Sequence, residues 1–234
     1  MDLLKHIDSR SKKDIYVTIE GNISSGKSTF IQYFKEIHNI ELLQEPIELW
    51  EDFHGTNILK QKYDCATEQN EYIFQTLANM SRLQQLITTG SSNNTIKIME
   101  RSLQSSFHVF VTNSKENANI GHLTYELLKY NYEVCTQGIM EQFTNPDLVV
   151  YIKSTPEICM MRLKSRNRSS ERMVDHEYLT QIHNAHEKWL IPNAEGKISG
   201  MNCRILTING NQTQDQMKKE VASVLKEILS LSNQ

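Results

Sequence analysis

Proline and glycine are scarce in this chain, 4 and 9 of its 234 residues, and no repeat or low-complexity tract interrupts it. That excludes collagen-like and disordered classes and leaves an ordinary globular protein, long enough for one α/β core and short for two. One domain over 1–234 is expected, with 1–14 as an N-terminal extension. Cysteine is equally sparse: Cys65, Cys135, Cys159 and Cys203 stand apart without CxxC or Cys/His ligand spacing. They read as reduced, mostly structural thiols of an intracellular protein, and no zinc site is suggested. The eight histidines likewise make no metal-ligand pattern.

Positive charge is not in excess, since 25 Lys and Arg face 28 Asp and Glu for a formal charge of -3. Sequence-independent duplex binding needs a basic face to displace counterions, so no nucleic-acid partner is expected. No apolar run reaches the ~18 residues that mark a membrane span. The apolar run in MDLLKHIDSRSKKD is too short for a signal peptide, and Asp2, Asp8 and Asp14 interrupt any basic amphipathic presequence. A cytoplasmic protein without a membrane partner is expected.

What the chain does contain is a series of short apolar runs rich in β-branched residues, at Ile15-Val17-Ile19, Ile40-Leu42-Leu43, Ile96-Ile98-Met99, Leu148-Val149-Val150-Ile152 and Ile205-Leu206-Ile208. Between them lie stretches of helical spacing: Phe107, Phe110 and Val111; Leu123, Leu127 and Leu128; Val221, Val224, Leu225, Ile228 and Leu229. Strands alternating with helices predict a parallel sheet covered on both faces. The last helix reads as core packing, because Lys218, Lys219, Glu220, Lys226 and Glu227 make its other face polar. Residues 90–95 read as a Ser/Asn/Gly loop within the same pattern, not a domain boundary.

The chemistry begins at Gly21-Asn22-Ile23-Ser24-Ser25-Gly26-Lys27-Ser28, which fits GxxxxGK[ST] after a strand and before a helical stretch from Thr29 to Ile37. In such a loop the glycines let successive N–H groups face phosphate, and the helix N-terminus adds its dipole. Lys27 is placed to reach the β/γ-phosphates and the Ser28 hydroxyl to hold Mg²⁺.

A P-loop alone says nucleoside triphosphate, not what is done with it. Glu45-Pro46-Ile47-Glu48-Leu49-Trp50 follows the second strand, so Glu45 stands at a carboxyl edge, where open α/β sheets collect ligands. A carboxylate there can accept the proton of an attacking hydroxyl, although a Glu before Pro read alone fits a solvated loop as well. Glu100-Arg101-Ser102 ends the third strand and brings a second carboxylate and a guanidinium to that edge; a plain strand-end ion pair is the alternative.

Together GNISSGKS, EPIELW, Phe74-Gln75, ERS, the run Arg166-Asn-Arg-Ser-Ser-Glu171 and His186-Glu-Lys-Trp-Leu190 resemble the deoxynucleoside kinases, in order from about Ile15 to Ile191. The resemblance implies an α/β P-loop kinase with a five-stranded parallel sheet of order 2-3-1-4-5, an Arg-rich lid and a homodimer. It implies Mg²⁺, ATP or another NTP as donor, and a deoxynucleoside as acceptor. It assigns Glu45 as general base for the 5'-hydroxyl, Arg101 as support for that base and the phosphoryl group, and Glu100 as a Mg²⁺ ligand. Gln75 is then the two-pronged partner of the nucleobase. Trp50, Phe74 and Phe110 become its walls, though each alone reads as core. Tyr63 and Glu171 match the pair that binds the 3'-hydroxyl.

Arg162 and Arg166 fall on one helical face, with Arg168 just beyond. Like charges there repel unless an anion neutralises them, and a lid at about 162–174 closing on triphosphate supplies one; a solvated basic face is the alternative. Arg82 stands where the deoxycytidine and deoxyguanosine kinases carry Arg, whereas Ser106 stands where they carry Asp. Arg82 directed into the pocket disfavours thymine and is loosely held without an Asp; turned outward to solvent, it fits equally well. Deoxycytidine or a purine deoxynucleoside is therefore expected to outrank thymidine. Rival readings are a nucleoside monophosphate kinase of thymidylate kinase type and a non-catalytic accessory subunit of the same fold.

Overall fold

Each apolar run forms a strand: β1 (Ile15–Glu20), β2 (Ile40–Leu43), β3 (Ile96–Glu100), β4 (Leu148–Lys153) and β5 (Arg204–Asn209). In the computed structural model, which describes residues 14–88, 96–191 and 203–232, they pair in parallel in the order β2-β3-β1-β4-β5. The expected topology is the observed one. The loop read at 90–95 and nearly all of the N-terminal extension lie outside the described residues.

The helices are α1 (Lys27–Gln32), α2 (Ile47–Glu51), α3 (Ile58–Asp64), α4 (Glu68–Thr88), α5 (Leu103–Ser105), α6 (Thr112–Glu116), α7 (His122–Thr136), α8 (Glu141–Thr144), α9 (Pro156–Arg166), α10 (His176–Leu190) and α11 (Gln214–Ser232), with a π-helical segment at Ser106–Val111. Several boundaries have local causes. Ser102 and Ser105 form a reciprocal capping box that starts α5. Asp175 caps α10 by accepting from the Tyr178 amide at 2.8 Å. Pro156 at the first turn of α9 needs no partner for an N–H, and Asn167 at φ 50° ends that helix in the left-handed region.

Both faces of the sheet are covered, which is why the strands read as continuous apolar runs. Val17, Ile19, Ile98, Val150 and Ile152 pack on one side with Phe30 and Ile31 of α1 and Val224 and Ile228 of α11. Val149 and Tyr151 pack on the other with Val109 and Phe110 of the π-helical segment and Ile182 and Trp189 of α10. Each such buried aliphatic side chain contributes about 1.5–3 kcal/mol of transfer free energy. The helical face of α11 is core as expected, except Leu229, which is exposed.

Two expectations need correction. The helix after the P-loop ends at Gln32, not Ile37, because Tyr33, Phe34, Lys35 and Ile37 donate to carbonyls three residues back and tighten the chain into turns. In α7, Leu128 is buried but Leu123 and Leu127 face outward. Among the described residues no helix is long and apolar enough to cross a membrane.

Candidate active site

Three strand ends meet at the carboxyl edge of the sheet. β1 pairs with β3 so that Ile19 lies opposite Glu100, and β2 pairs with β3 so that Leu43 lies opposite Met99. The segments that follow, Gly21–Ser28, Glu45 and Arg101, therefore emerge side by side. Of these, Ile23 to Ser28, Glu45 and Arg101 line one cavity of about 580 Å³.

The P-loop leaves β1 through Gly21 at φ 143°, where a Cβ would come within 2.5 Å of the Ile152 carbonyl oxygen. Gly26 at φ 104° meets no such crowding; its need for glycine is the backbone angle alone. Asn22 holds the loop by donating to the Leu179 carbonyl at 2.8 Å and accepting from the Ile23 amide at 2.8 Å. Ser24 lies at φ 59°, and the Ser25 amide closes a turn on the Asn22 carbonyl. Lys27 is buried and donates from Nζ to that same carbonyl at 2.8 Å. Burial, then the Arg101 charge, brings its pKa down to about 8. Ser28 and Thr29 are exposed and line the cavity.

Ser28 Oγ donates to Glu100 Oε1 at 2.8 Å. Burial, then the Glu45 charge, pushes the Glu100 carboxyl above its ordinary range, so a cation beside it would be favoured. A hydroxyl and a carboxylate are hard oxygen donors, and Mg²⁺ is commonly held by one or two carboxylates together with substrate phosphates; the pair fits that ion.

Glu45 follows β2 and is clasped twice, by Arg82 Nη2 and by Arg101 Nε at 3.2 Å. Burial acts to raise its pKa, but the charges of Arg101, Arg82 and Lys27 outweigh burial and hold it below the usual carboxylate range. Arg101 itself sits at φ 63°, an unusual angle for a non-glycine residue. Two contacts at the strand ends brace this turn: the Arg101 amide donates to the Ile19 carbonyl at 3.1 Å, and the Ser102 amide donates to Glu20 Oε1 at 2.8 Å. Its guanidinium lies 4.7 Å from the centre of the Phe110 ring. Glu20 was not among the residues singled out from sequence, because a carboxylate inside an apolar strand carries no motif.

Trp50 and Phe74 meet edge to face at 5.5 Å, and Trp50 Nε1 donates to Ser81 Oγ at 3.0 Å. Gln75 is buried and donates to Glu71 Oε1 at 2.8 Å. Arg82 is directed inward, its guanidinium 5.0 Å from the Trp50 ring centre, which removes the solvent-facing alternative. Nor is it loosely held: Nη1 donates to Ser106 Oγ at 2.8 Å while Nη2 holds Glu45. Ser106 and Glu45 together do what a lone Asp was expected to do.

Arg162 Nη1 donates to the Ser25 carbonyl at 2.9 Å, drawing α9 over the P-loop. Arg166 and Arg168 both pair with Glu171, the latter at 3.2 Å. Glu171 thus neutralises Arg166 and Arg168 within the chain, while Arg162 is held by backbone carbonyls of Ser25 and Gln212. Tyr63 lies in the cavity wall with its ring 6.1 Å from that of Tyr178, whereas Glu171 is engaged by the two arginines. Lys62, absent from the sequence reading, lines the same cavity. A lysine in the polar run Lys60-Gln61-Lys62 gives no signal of burial.

The chain is similar to several known proteins. The chicken (Gallus gallus) protein named deoxycytidine kinase 2 is 29% identical over 94% of this chain and 90% of its own length. Human (Homo sapiens) mitochondrial thymidine kinase 2 is 30% identical over 90% of this chain and 76% of its own. Human deoxycytidine kinase is 27% identical over 75% of each. The family model described as deoxynucleoside kinase matches residues 17–230, nearly everything from β1 to the end of α11. With that span matched and the expected strand order present, the chain belongs to the deoxynucleoside kinases, a family of phosphoryl-transfer enzymes.

Proposed function

We propose that this protein transfers the γ-phosphoryl of ATP or another NTP to the 5'-hydroxyl of a deoxynucleoside. The observation that carries the reading is Glu45, clasped by Arg82 and Arg101 in the same cavity as Lys27 and the P-loop. Glu45 takes the 5'-hydroxyl proton while the 5'-oxygen bonds to the γ-phosphorus, and the bond to the β-bridging oxygen breaks to release the diphosphate. Lys27 and the loop N–H groups bind the phosphates, and Arg101 offsets charge between base and phosphoryl group. Mg²⁺, held by Ser28 and Glu100, would supply neutralisation of phosphate charge. Gln75 reads the base between Trp50, Phe74 and Phe110, and Tyr63 serves the sugar. Residues 162–174 act as the lid, in which Glu171 exchanges its arginines for the 3'-hydroxyl when phosphate takes them over.

Arg82, directed into the pocket, supports deoxycytidine or a purine deoxynucleoside over thymidine. A homodimer also belongs to this reading. Leu123, Leu127, Tyr130 and Val134 make a stripe of helical spacing on α7, with Leu123 81% and Tyr130 63% exposed, and a second copy would cover it. Sedimentation of wild type and a Leu127→Glu/Tyr130→Glu variant should give dimer and monomer; identical behaviour contradicts that surface.

The function is tested by incubating the protein with ATP, Mg²⁺ and each deoxynucleoside or its monophosphate. Phosphate should appear on the nucleosides. Transfer only to monophosphates, or to neither, overturns the reading.

A further inference from the structure

We propose that Lys62 is a specificity-determining residue that donates a charged hydrogen bond to a carbonyl oxygen of the nucleobase, so that the pocket ranks adenine, which has no carbonyl, below cytosine and guanine. The inference rests on the deoxynucleoside kinase reading and deepens it. Lys62 projects from α3 with a buried side chain into the cavity that holds Gln75 and Glu45. Four aromatic rings surround its ammonium: Phe74 at 4.6 Å, Tyr63 at 5.2 Å, Phe110 at 5.4 Å and Tyr178 at 5.9 Å from Nζ to ring centre. Phe74 and Phe110 are two of the walls between which a base would lie.

The ammonium is poorly supplied with acceptors for a buried charge. Its three protons have one long hydrogen bond, to the Tyr178 hydroxyl at 3.4 Å, and a carboxylate oxygen of Glu71 at 3.8 Å, beyond hydrogen-bond length. Ring faces attract the cation but do not accept its protons in ordinary geometry. Burying an ammonium with so few acceptors is costly, and an acceptor brought by a ligand recovers part of that cost.

Its position identifies which part of the substrate supplies the acceptor. Glu71 Oε1, the oxygen nearest Lys62, also accepts from Gln75 Nε2 at 2.8 Å and Ser114 Oγ at 2.7 Å. Lys62 therefore shares a carboxylate with the amide assigned to the base. Thymine, cytosine and guanine each present a ring carbonyl to such a donor. Adenine presents an amino group and ring nitrogens, and an exocyclic N–H₂ directed at an ammonium repels it.

The test uses steady-state kinetics on deoxyinosine and deoxyadenosine, which share ring and sugar but carry oxygen or an amino group at position six. Unaltered protein should favour deoxyinosine by roughly 10- to 100-fold in kcat/KM, the range of a hydrogen bond to a charged group. The difference should fall mainly on KM, because the contact is remote from the reacting atoms. Lys62→Met should shrink that ratio about tenfold or more, and Lys62→Arg should retain most of it. Equal use of the two nucleosides by unaltered protein overturns the inference without any variant. A ratio unchanged in a folded Lys62→Met protein also overturns it while the kinase reading stands. No phosphorylation of any deoxynucleoside overturns both.

Discussion

Arg101 Nε lies 3.2 Å from Glu45 Oε1, an ion pair that joins the end of β3 to the segment after β2. The pair links the proposed proton acceptor to a guanidinium whose backbone is held at φ 63° by the strand ends beneath it. Such strain persists only where surrounding contacts fix it, and here those contacts come from β1.

Lys27→Ala is expected to lose both triphosphate affinity and turnover, because the lysine meets phosphate charge in the ground state and the transition state alike. Nucleotide titration together with kcat checks this. Normal turnover would remove the P-loop assignment.

Arg82→Met should raise kcat/KM for thymidine relative to deoxycytidine, since it removes a cation from beside the Trp50 ring. It should also lower kcat for every substrate, because Arg82 is one of the two clasps on Glu45. An unchanged ranking among the four deoxynucleosides would show that Arg82 does not read the base.

The segment from Lys164 to Val174 should exchange its amide hydrogens more slowly when triphosphate or a bisubstrate analogue is bound. Phosphate would replace Glu171 as partner of Arg166 and Arg168 and draw the lid closed. Hydrogen exchange by mass spectrometry reads this directly. Unchanged exchange at saturation counts against a lid.

Acid should destabilise the fold through two histidines, His108, which is half-buried, and His186, which is fully buried. His108 stacks on Trp189 at 5.7 Å, and burial brings its pKa down to about 4; His186, whose Nδ1 donates to the Ile182 carbonyl at 2.7 Å, is driven well below its ordinary value by burial and Arg101. The folded-state values are depressed, so between about pH 6.5 and pH 4 the unfolded chain binds more protons. Stability is therefore lost as pH falls through that window, by on the order of 3 kcal/mol from His108 alone. Urea melts of wild type and His108→Gln across the window should show a shallower pH slope in the variant. Equal slopes would contradict the assignment.

The sheet was legible because β1, β3 and β4, buried on both faces, are rich in apolar residues, and the edge strands β2 and β5 still carry shorter apolar runs. The P-loop was legible because Gly21, Gly26 and Lys27 have few other reasons to occur at that spacing. Lys62 was not, since only the tertiary approach of Phe74 and Phe110 turns a polar-looking helix position into a buried one. The partner of Arg166 and Arg168 was written nearby as Glu171, yet sequence alone does not say whether a local carboxylate or a ligand answers a basic cluster. The exposed stripe on α7 has the period of a core helix, and periodicity cannot distinguish core from interface.

The central claim is that Glu45 removes the proton of the attacking hydroxyl, and Glu45→Gln tests it most directly. The substitution keeps size and removes the basic oxygen. With deoxynucleoside and ATP at saturation, kcat should fall by roughly 10²–10⁴-fold while triphosphate affinity, read by titration, stays nearly intact. A kcat close to wild type, or a matching loss of triphosphate affinity, would contradict the account and place Glu45 in a structural role.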